Sequence, residues 1–139
     1  MARDTTTGAV LEKMIIPALE QGGYHYRKQQ YVGERPGGRK HMVDFLVWKE
    51  GSNPILVSMK YQDTPGTAEQ KVPFEVICLM KAIKDNETYE KAYIVMGGSG
   101  WTLRDFYVEG GLKEYIVNSE NVHLLKLEDF IRLANHGNL

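Results

Sequence analysis

Two charged residues in the middle of the chain are out of keeping with their neighbours. Asp44 interrupts the apolar run Met42-Val43-Asp44-Phe45-Leu46-Val47-Trp48, and Lys60 closes the run Ile55-Leu56-Val57-Ser58-Met59. The runs flank Gly51-Ser52-Asn53-Pro54, whose residue types favour a turn, so the stretch is predicted to be an antiparallel hairpin. Alternation puts Asp44, Leu46 and Trp48 on one face of the first strand, and Ser58, Lys60 and Gln62 on one face of the second. If those faces coincide, Asp44, Ser58 and Lys60 converge. A charge among Val, Phe, Leu and Ile is unfavourable unless it is paired or binds a metal. Two accounts follow. One is a buried ion pair. The other is a site for metal-assisted hydrolysis of a phosphodiester. There an acid holds a divalent cation that prefers oxygen ligands, and an ammonium steadies the nucleophile or the developing negative charge.

At these residues the chain resembles the PD-(D/E)xK nuclease superfamily, which includes restriction enzymes, junction resolvases and some homing endonucleases. Val43-Asp44 corresponds to the first acid and Ser58-Met59-Lys60 to the (D/E)-x-K tripeptide, with the turn between them. Val43 stands where the motif has proline. Ser58 stands where it has the second acid, and a hydroxyl is a poorer ligand for a hard cation than a carboxylate. Some restriction enzymes of this superfamily also carry Ser there and supply the carboxylate from the following helix. The resemblance therefore implies a migrated acid, and Glu69 and Glu75 are the two candidates.

Helical spacing ranks them. Val72, Val76, Leu79, Met80 and Ile83 form an apolar stripe. At about 100° per residue Glu69 projects near the centre of that stripe and Glu75 about a quarter-turn away. The run Gly66-Thr67-Ala68-Glu69-Gln70-Lys71 is also similar to a Gly-Ser/Thr-x-acid-x-Lys segment that follows the catalytic lysine in several such nucleases. Glu69 is the expected metal ligand on both counts. The order reverses if the helix begins at Pro73, which would bring Glu75 nearer. The alternative role for Glu69 is a carboxylate complementing the helix dipole. The resemblance further assigns Glu12, on the first helix, a place beside the metal, and Gln62 the task of orienting water or phosphate.

The composition sets bounds. A length of 139 residues suits one domain, and 17 basic against 18 acidic residues leave no overall charge with which to bind nucleic acid, so cationic side chains would have to be gathered on one face. The densest such patch is Arg27, Lys28, Arg35, Arg39, Lys40 and His41, around the Gly- and Pro-rich segment 33–40, and suits contact with phosphates. His25 and His41 lack the spacing of a zinc site. The single cysteine, Cys78, excludes an internal disulfide and is expected in the core. No apolar run is long enough to span a membrane and no signal-peptide pattern is present, so an intracellular, cytoplasmic protein is expected.

The remaining elements follow from periodicity. A first helix carries Val10, Met14, Ile15 and Leu19 after Thr5-Thr6-Thr7-Gly8, is strained by Pro17 and is stopped by Gly22-Gly23. Tyr24 to Val32 alternates as a strand, Ala92 to Met96 reads as a buried strand, and Val122 to Leu125 as a last one before a closing helix, Leu127 to Leu133. Gly110-Gly111 should split the segment from Leu103 to Ile116 into two short helices. Gly97-Gly98-Ser99-Gly100 fits neither nucleotide-binding glycine pattern and reads as a turn that lets Trp101 pack.

The order helix, three strands, helix, strand, helix, strand is that of a restriction-endonuclease-like α/β core, with a mixed sheet flanked by helices, over residues 7–126 of a single domain, 1–139. The resulting expectation is a Mg2+-dependent DNA endonuclease, with Mn2+ as a possible substitute and Asp44, Glu69 and Glu12 on the metal. Lys60 assists the water or the transition state, Gln62 orients, and Ser58 marks the lost acid. A homodimer or larger assembly would present two sites to two strands. The alternatives are a junction-resolvase-like nuclease selective for branched DNA and a catalytically inactive DNA-binding protein on the same fold.

Overall fold

A computed structural model describes the backbone of residues 2–139 and the side chains of residues 9–139. Helix α1 (Ala2–Gln21) leads into strands β1 (His25–Glu34), β2 (Lys40–Trp48) and β3 (Ile55–Tyr61). A 3-10 turn (Ala68–Lys71) opens directly into α2 (Val72–Asp85), followed by β4 (Lys91–Gly97) and the short α3 (Arg104–Val108). A second 3-10 turn (Gly111–Glu114), β5 (Val122–Lys126) and α4 (Leu127–Asn135) complete the chain. The first helix extends further than expected and includes the Thr5–Gly8 backbone; the side chains of those residues lie outside the description.

The sheet has five strands in the order β1-β2-β3-β4-β5. The first three are antiparallel neighbours, and α2 then carries the chain across so that β4 runs parallel to β3 and β5 parallel to β4. Helices α1 and α4 cover one face, where Ile15, Leu19, Phe130 and Ala134 pack on Phe45, Val47, Val57, Tyr93 and Val95. Helices α2 and α3 cover the other, where Val72, Val76, Leu79 and Tyr107 pack on Leu56, Ile94 and Met96. This mixed five-stranded sheet between helical layers is the restriction-endonuclease-like α/β fold. Cys78 is buried in α2, where the apolar surroundings push its thiol up to about 11.

The β1–β2 hairpin does not keep one face to one core. Tyr26 and Phe45 pack on the α1/α4 side, whereas Val32 and Val43, further toward the hairpin tip, pack on the α2 side. The change of side falls at Gln29 and Asp44, which lie opposite each other in a register that pairs Lys28 with Phe45 and Gln30 with Val43. Gln29 has φ of 53°, in the left-handed region that non-glycine residues rarely occupy. The reversal curls the hairpin tip over α2, where Arg35 stacks on Phe74 with its guanidinium carbon 5.6 Å from the ring centroid. The simple alternation expected from Tyr24 to Val32 is broken by this irregularity and by a register shift between Tyr31 and Gly33.

Candidate active site

Asp44 occupies the place where β2 and β3 part. The last backbone pair between β2 and β3 is Phe45 with Val57, and beyond it the Asp44 side chain does what a main-chain carbonyl would otherwise do. Its Oδ2 accepts the Met59 N–H at 2.6 Å, a charge-assisted bond worth roughly 1.5–3 kcal/mol. Gln29 Nε2 stands 3.5 Å from Oδ1, too long for a strong bond. One carboxylate oxygen is therefore engaged, and the other keeps most of its accepting capacity.

The surroundings of that carboxylate are electrostatically mixed. Burial pushes its pKa up; the Met59 amide, the Lys60 ammonium and Gln29 pull it down without cancelling that effect, and the charge of Glu75 adds to the upward shift. Lys60 and Glu75 thus both act on Asp44. Lys60 is half-buried on β3, in parallel register with Met96, and has no ion-pair partner within 4.0 Å among the described residues. Asp44 lines a depression of about 530 Å³ with Met59, Tyr61, Gln62 and Thr67. Lys60 and Glu75 line a second, of about 570 Å³, with Arg35, Arg39, Lys40 and His41.

The other acids have different neighbours. Glu69 was the expected metal ligand, but it lies in the 3-10 turn and its side chain is buried against the start of α3. Its Oε1 accepts the backbone N–H groups of Thr102 and Leu103 at 2.8 and 2.9 Å, and Oε2 accepts the Thr102 hydroxyl at 2.6 Å. That hydroxyl leads the groups holding its pKa below the ordinary carboxylate value. The projection that favoured Glu69 carried the α-helical phase back through Pro73. Pro73 instead sits in the first turn of α2, where its missing N–H is harmless, and the preceding residues wind at the 3-10 period. Of the two acids, Glu75 is therefore the one whose charge reaches Asp44. Glu12 lies 3.3 Å from the Lys28 ammonium.

Gln62 also carries a structural duty. The Gln62 side chain is buried and clamps two segments together, with Nε2 donating to the Gly100 carbonyl at 2.9 Å and Oε1 accepting the Glu69 N–H at 3.2 Å. The glycine-rich loop after β4 is what lets this clamp close. A Cβ at Gly98, where φ is 96°, would lie 2.4 Å from the Gln62 carbonyl oxygen, and one at Gly100 would lie 2.3 Å from Thr64 N. Trp101 packs back on the loop, its indole N–H donating to the Gly97 carbonyl at 2.7 Å. Ser58 is 3% exposed and lies one residue beyond the last β2–β3 pair, as does Asp44.

A family comparison matches residues 3–138 to the PD-(D/E)XK nuclease superfamily domain. The chain belongs to that superfamily. No curated protein and no solved structure gave a significant match. Superfamily members typically work with divalent metal ions. Among the described residues no three His, Cys, Asp or Glu side chains are grouped closely enough to hold a metal. A cation such as Mg2+ keeps several waters, however, and is commonly held by one or two carboxylates. Asp44, with Oδ1 largely open, is the carboxylate that could meet that sparser demand, and the charge of Glu75 acts on it from the second depression. No helix of the described residues is long and apolar enough to cross a membrane.

The roles of two residues of this region, Gln29 and His41, escaped the sequence reading, which placed the latter only in the cationic patch. Gln29 gave no signal, because a left-handed backbone in a polar strand leaves no compositional trace. His41 did leave one. It occupies the first of the odd-numbered positions His41, Val43, Phe45 and Val47, all of which are buried, and a polar side chain in such a series needs a partner. That partner is Glu75, with His41 Nε2 3.0 Å from Oε2.

Proposed function

We propose that the protein is a divalent-metal-dependent endonuclease that hydrolyses phosphodiester bonds of DNA, with Mg2+ as the working ion and Mn2+ as a substitute. Superfamily membership supports the reaction class. The observation that carries the reading is the Asp44 carboxylate where β2 and β3 separate, with one oxygen largely open and the charges of Lys60 and Glu75 acting on it. In this reading Asp44 holds the ion. Glu69, whose oxygens are engaged by Thr102 and Leu103, serves instead to anchor α3. A bound divalent ion would offset charge on the phosphate and lower the pKa of a water.

The chain's own residues supply the remainder. The Lys60 ammonium, free of an ion pair among the described residues, faces the scissile phosphate and stabilises the negative charge that grows on it. Arg35, Arg39 and Lys40 surround the same depression as Lys60 and neutralise flanking phosphates. Gln62 acts by positioning, since its amide ties the end of β3 to the loop after β4. Glu12 instead pairs with Lys28 at 3.3 Å. Cleaving both strands of a duplex takes two such sites, so the reading includes a pair of chains. The test is nicking of supercoiled plasmid in Mg2+ by the wild type and Lys60→Ala. The variant is expected to lose activity by at least about a hundredfold. Equal nicking by the two proteins would refute the role of Lys60.

A second reading, a DNA-binding protein that has lost catalysis, draws support from Ser58 in place of an acid and from the lack of a three-acid cluster among the described residues. It predicts plasmid binding without nicking in either Mg2+ or Mn2+.

A further inference from the structure

We infer that the second depression, lined by Arg35, Arg39, Lys40, His41 and Lys60, is a subsite that holds one phosphate group without a metal ion, with Arg35 as its anchor. It would seat a DNA phosphate beside the scissile one, and only that source of the phosphate rests on the endonuclease reading above. The four cations Arg35, Arg39, Lys40 and Lys60 share the lining with a single acid, Glu75. None of the four has an ion-pair partner within 4.0 Å among the described residues. The acid is engaged elsewhere, its Oε2 lying 3.0 Å from His41 Nε2. Cations gathered without a counter-ion repel one another, and a bound anion relieves that repulsion. The charge pattern therefore favours an oxyanion as the ligand.

The hairpin tip is braced to present its arginines. The Arg35 N–H donates to the Arg39 carbonyl at 2.7 Å and the Gly38 N–H to the Arg35 carbonyl at 2.9 Å, which closes the turn between them. Phe74, an aromatic side chain left 45% exposed on α2, supplies the face on which the Arg35 guanidinium stacks. Stacking fixes the guanidinium plane and leaves its in-plane N–H groups for an acceptor, the geometry with which arginine takes two phosphate oxygens at once. Two polar atoms mark an unmet demand at this place. Arg35 Nε and His41 Nδ1 are both buried with no hydrogen-bond partner among the described residues. Buried polar groups are nearly always satisfied, and an Nε–H can only donate, so it calls for an acceptor. A phosphate oxygen is such an acceptor. His41 Nδ1 becomes a second donor when the imidazole carries both protons. Lys60 lines the same depression, so the seated phosphate neighbours the one that Lys60 serves in the proposed reaction.

The test is made in chelator, so that no metal contributes, on wild type, Arg35→Gln, Arg39→Gln and Lys84→Gln. Lys84 is an exposed cation of α2 outside the depression. Thermal melts and circular dichroism first establish that each variant folds. Should Arg35→Gln fail to fold, Arg39→Gln, at an exposed position of the tip, carries the comparison. Binding of inorganic phosphate is then measured by isothermal titration, with chloride at matched ionic strength as the blank. Wild type and Lys84→Gln are expected to bind alike, and each arginine variant about 10–100-fold more weakly. Wild type that takes up phosphate no better than chloride would overturn the inference, as would equal losses in Arg35→Gln, or its substitute, and Lys84→Gln. Duplex oligonucleotides with and without terminal phosphates identify the source. Weaker binding of both by Arg35→Gln assigns the subsite an internal diester, and weaker binding of the phosphorylated duplex alone assigns it a terminal phosphate. If wild type binds phosphate in chelator but nicks no plasmid in Mg2+ or Mn2+, the endonuclease reading falls and the subsite stands. If it nicks plasmid and binds no phosphate in chelator, only the subsite falls.

Discussion

Replacing Asp44 with Asn should make the metal-free protein more stable and the Mg2+-loaded protein comparatively less stable. The carboxylate lies where burial and the charge of Glu75 outweigh the help it receives from Met59, Lys60 and Gln29, so its pKa in the fold stands above the ordinary 3.8. An acid of raised pKa binds its proton more readily folded than unfolded. Stability is therefore fully kept below the unfolded value and declines as pH rises through the folded one. At neutral pH the ionised group opposes folding. Asparagine has nearly the same shape, and its amide oxygen can still accept the Met59 N–H. What it gives up is the charge-assisted part of that bond, a difference on the order of 1 kcal/mol. That loss offsets part of the gain, so the expected change is a small rise in Tm in chelator.

Magnesium should reverse the order. An ion at about 100 times its Kd stabilises the protein that binds it by roughly 2.7 kcal/mol and leaves a non-binding variant where it was. Differential scanning fluorimetry at neutral pH, in chelator and in Mg2+, would show the two melting curves exchanging places, and a chelator series from acid to neutral pH would show the gap opening as the carboxyl ionises. Two results would defeat the reasoning. If Asp44→Asn melts lower in chelator, the carboxylate is a structural ion-pair partner of Lys60. If Mg2+ raises both proteins equally, Asp44 holds no ion.

Other substitutions separate site from scaffold. Glu69→Gln removes a carboxylate whose pKa is held low, mainly by the Thr102 hydroxyl; such a group contributes stability above its unfolded pKa of about 4.5 that is lost as pH falls through the depressed value. The variant should melt lower at neutral pH, converge with wild type in acid, and keep its response to Mg2+. Gly98→Ala places a Cβ 2.4 Å from the Gln62 carbonyl at a left-handed position, and should cost about 1–3 kcal/mol in urea unfolding and lower nicking, because it disturbs the clamp through which Gln62 positions the end of β3.

The elements were largely legible because most of the buried positions repeat at the period of the element that carries them. Val72, Val76 and Leu79 mark α2, and the continuous run Ala92 to Met96 marks a strand covered on both faces. Asp44 and Lys60 stood out because charges are rare in such runs. The choice between Glu69 and Glu75 was not legible, because it depends on whether one turn before Pro73 winds as α or 3-10, a difference that alters the phase of every residue upstream. Gln62 looked like a side chain facing substrate because alternation gives its direction but not its distant partners, Gly100 and Glu69. The pairing of His41 with Glu75 joins residues far apart in the chain and needs the reversal at Gln29 and Asp44, which no periodicity encodes.

That reversal ties two properties of the protein to a single backbone irregularity. The twist that frees the Asp44 carboxylate from the regular ladder is the same one that swings Arg35 and His41 across α2. Straightening the ribbon would move the acid and the cationic arm in concert. In the proposed reading, grip on the nucleic acid and hold on the ion would thus be mechanically one adjustment, whereas changes confined to the arm's outer end, at 36–39, would tune the grip alone.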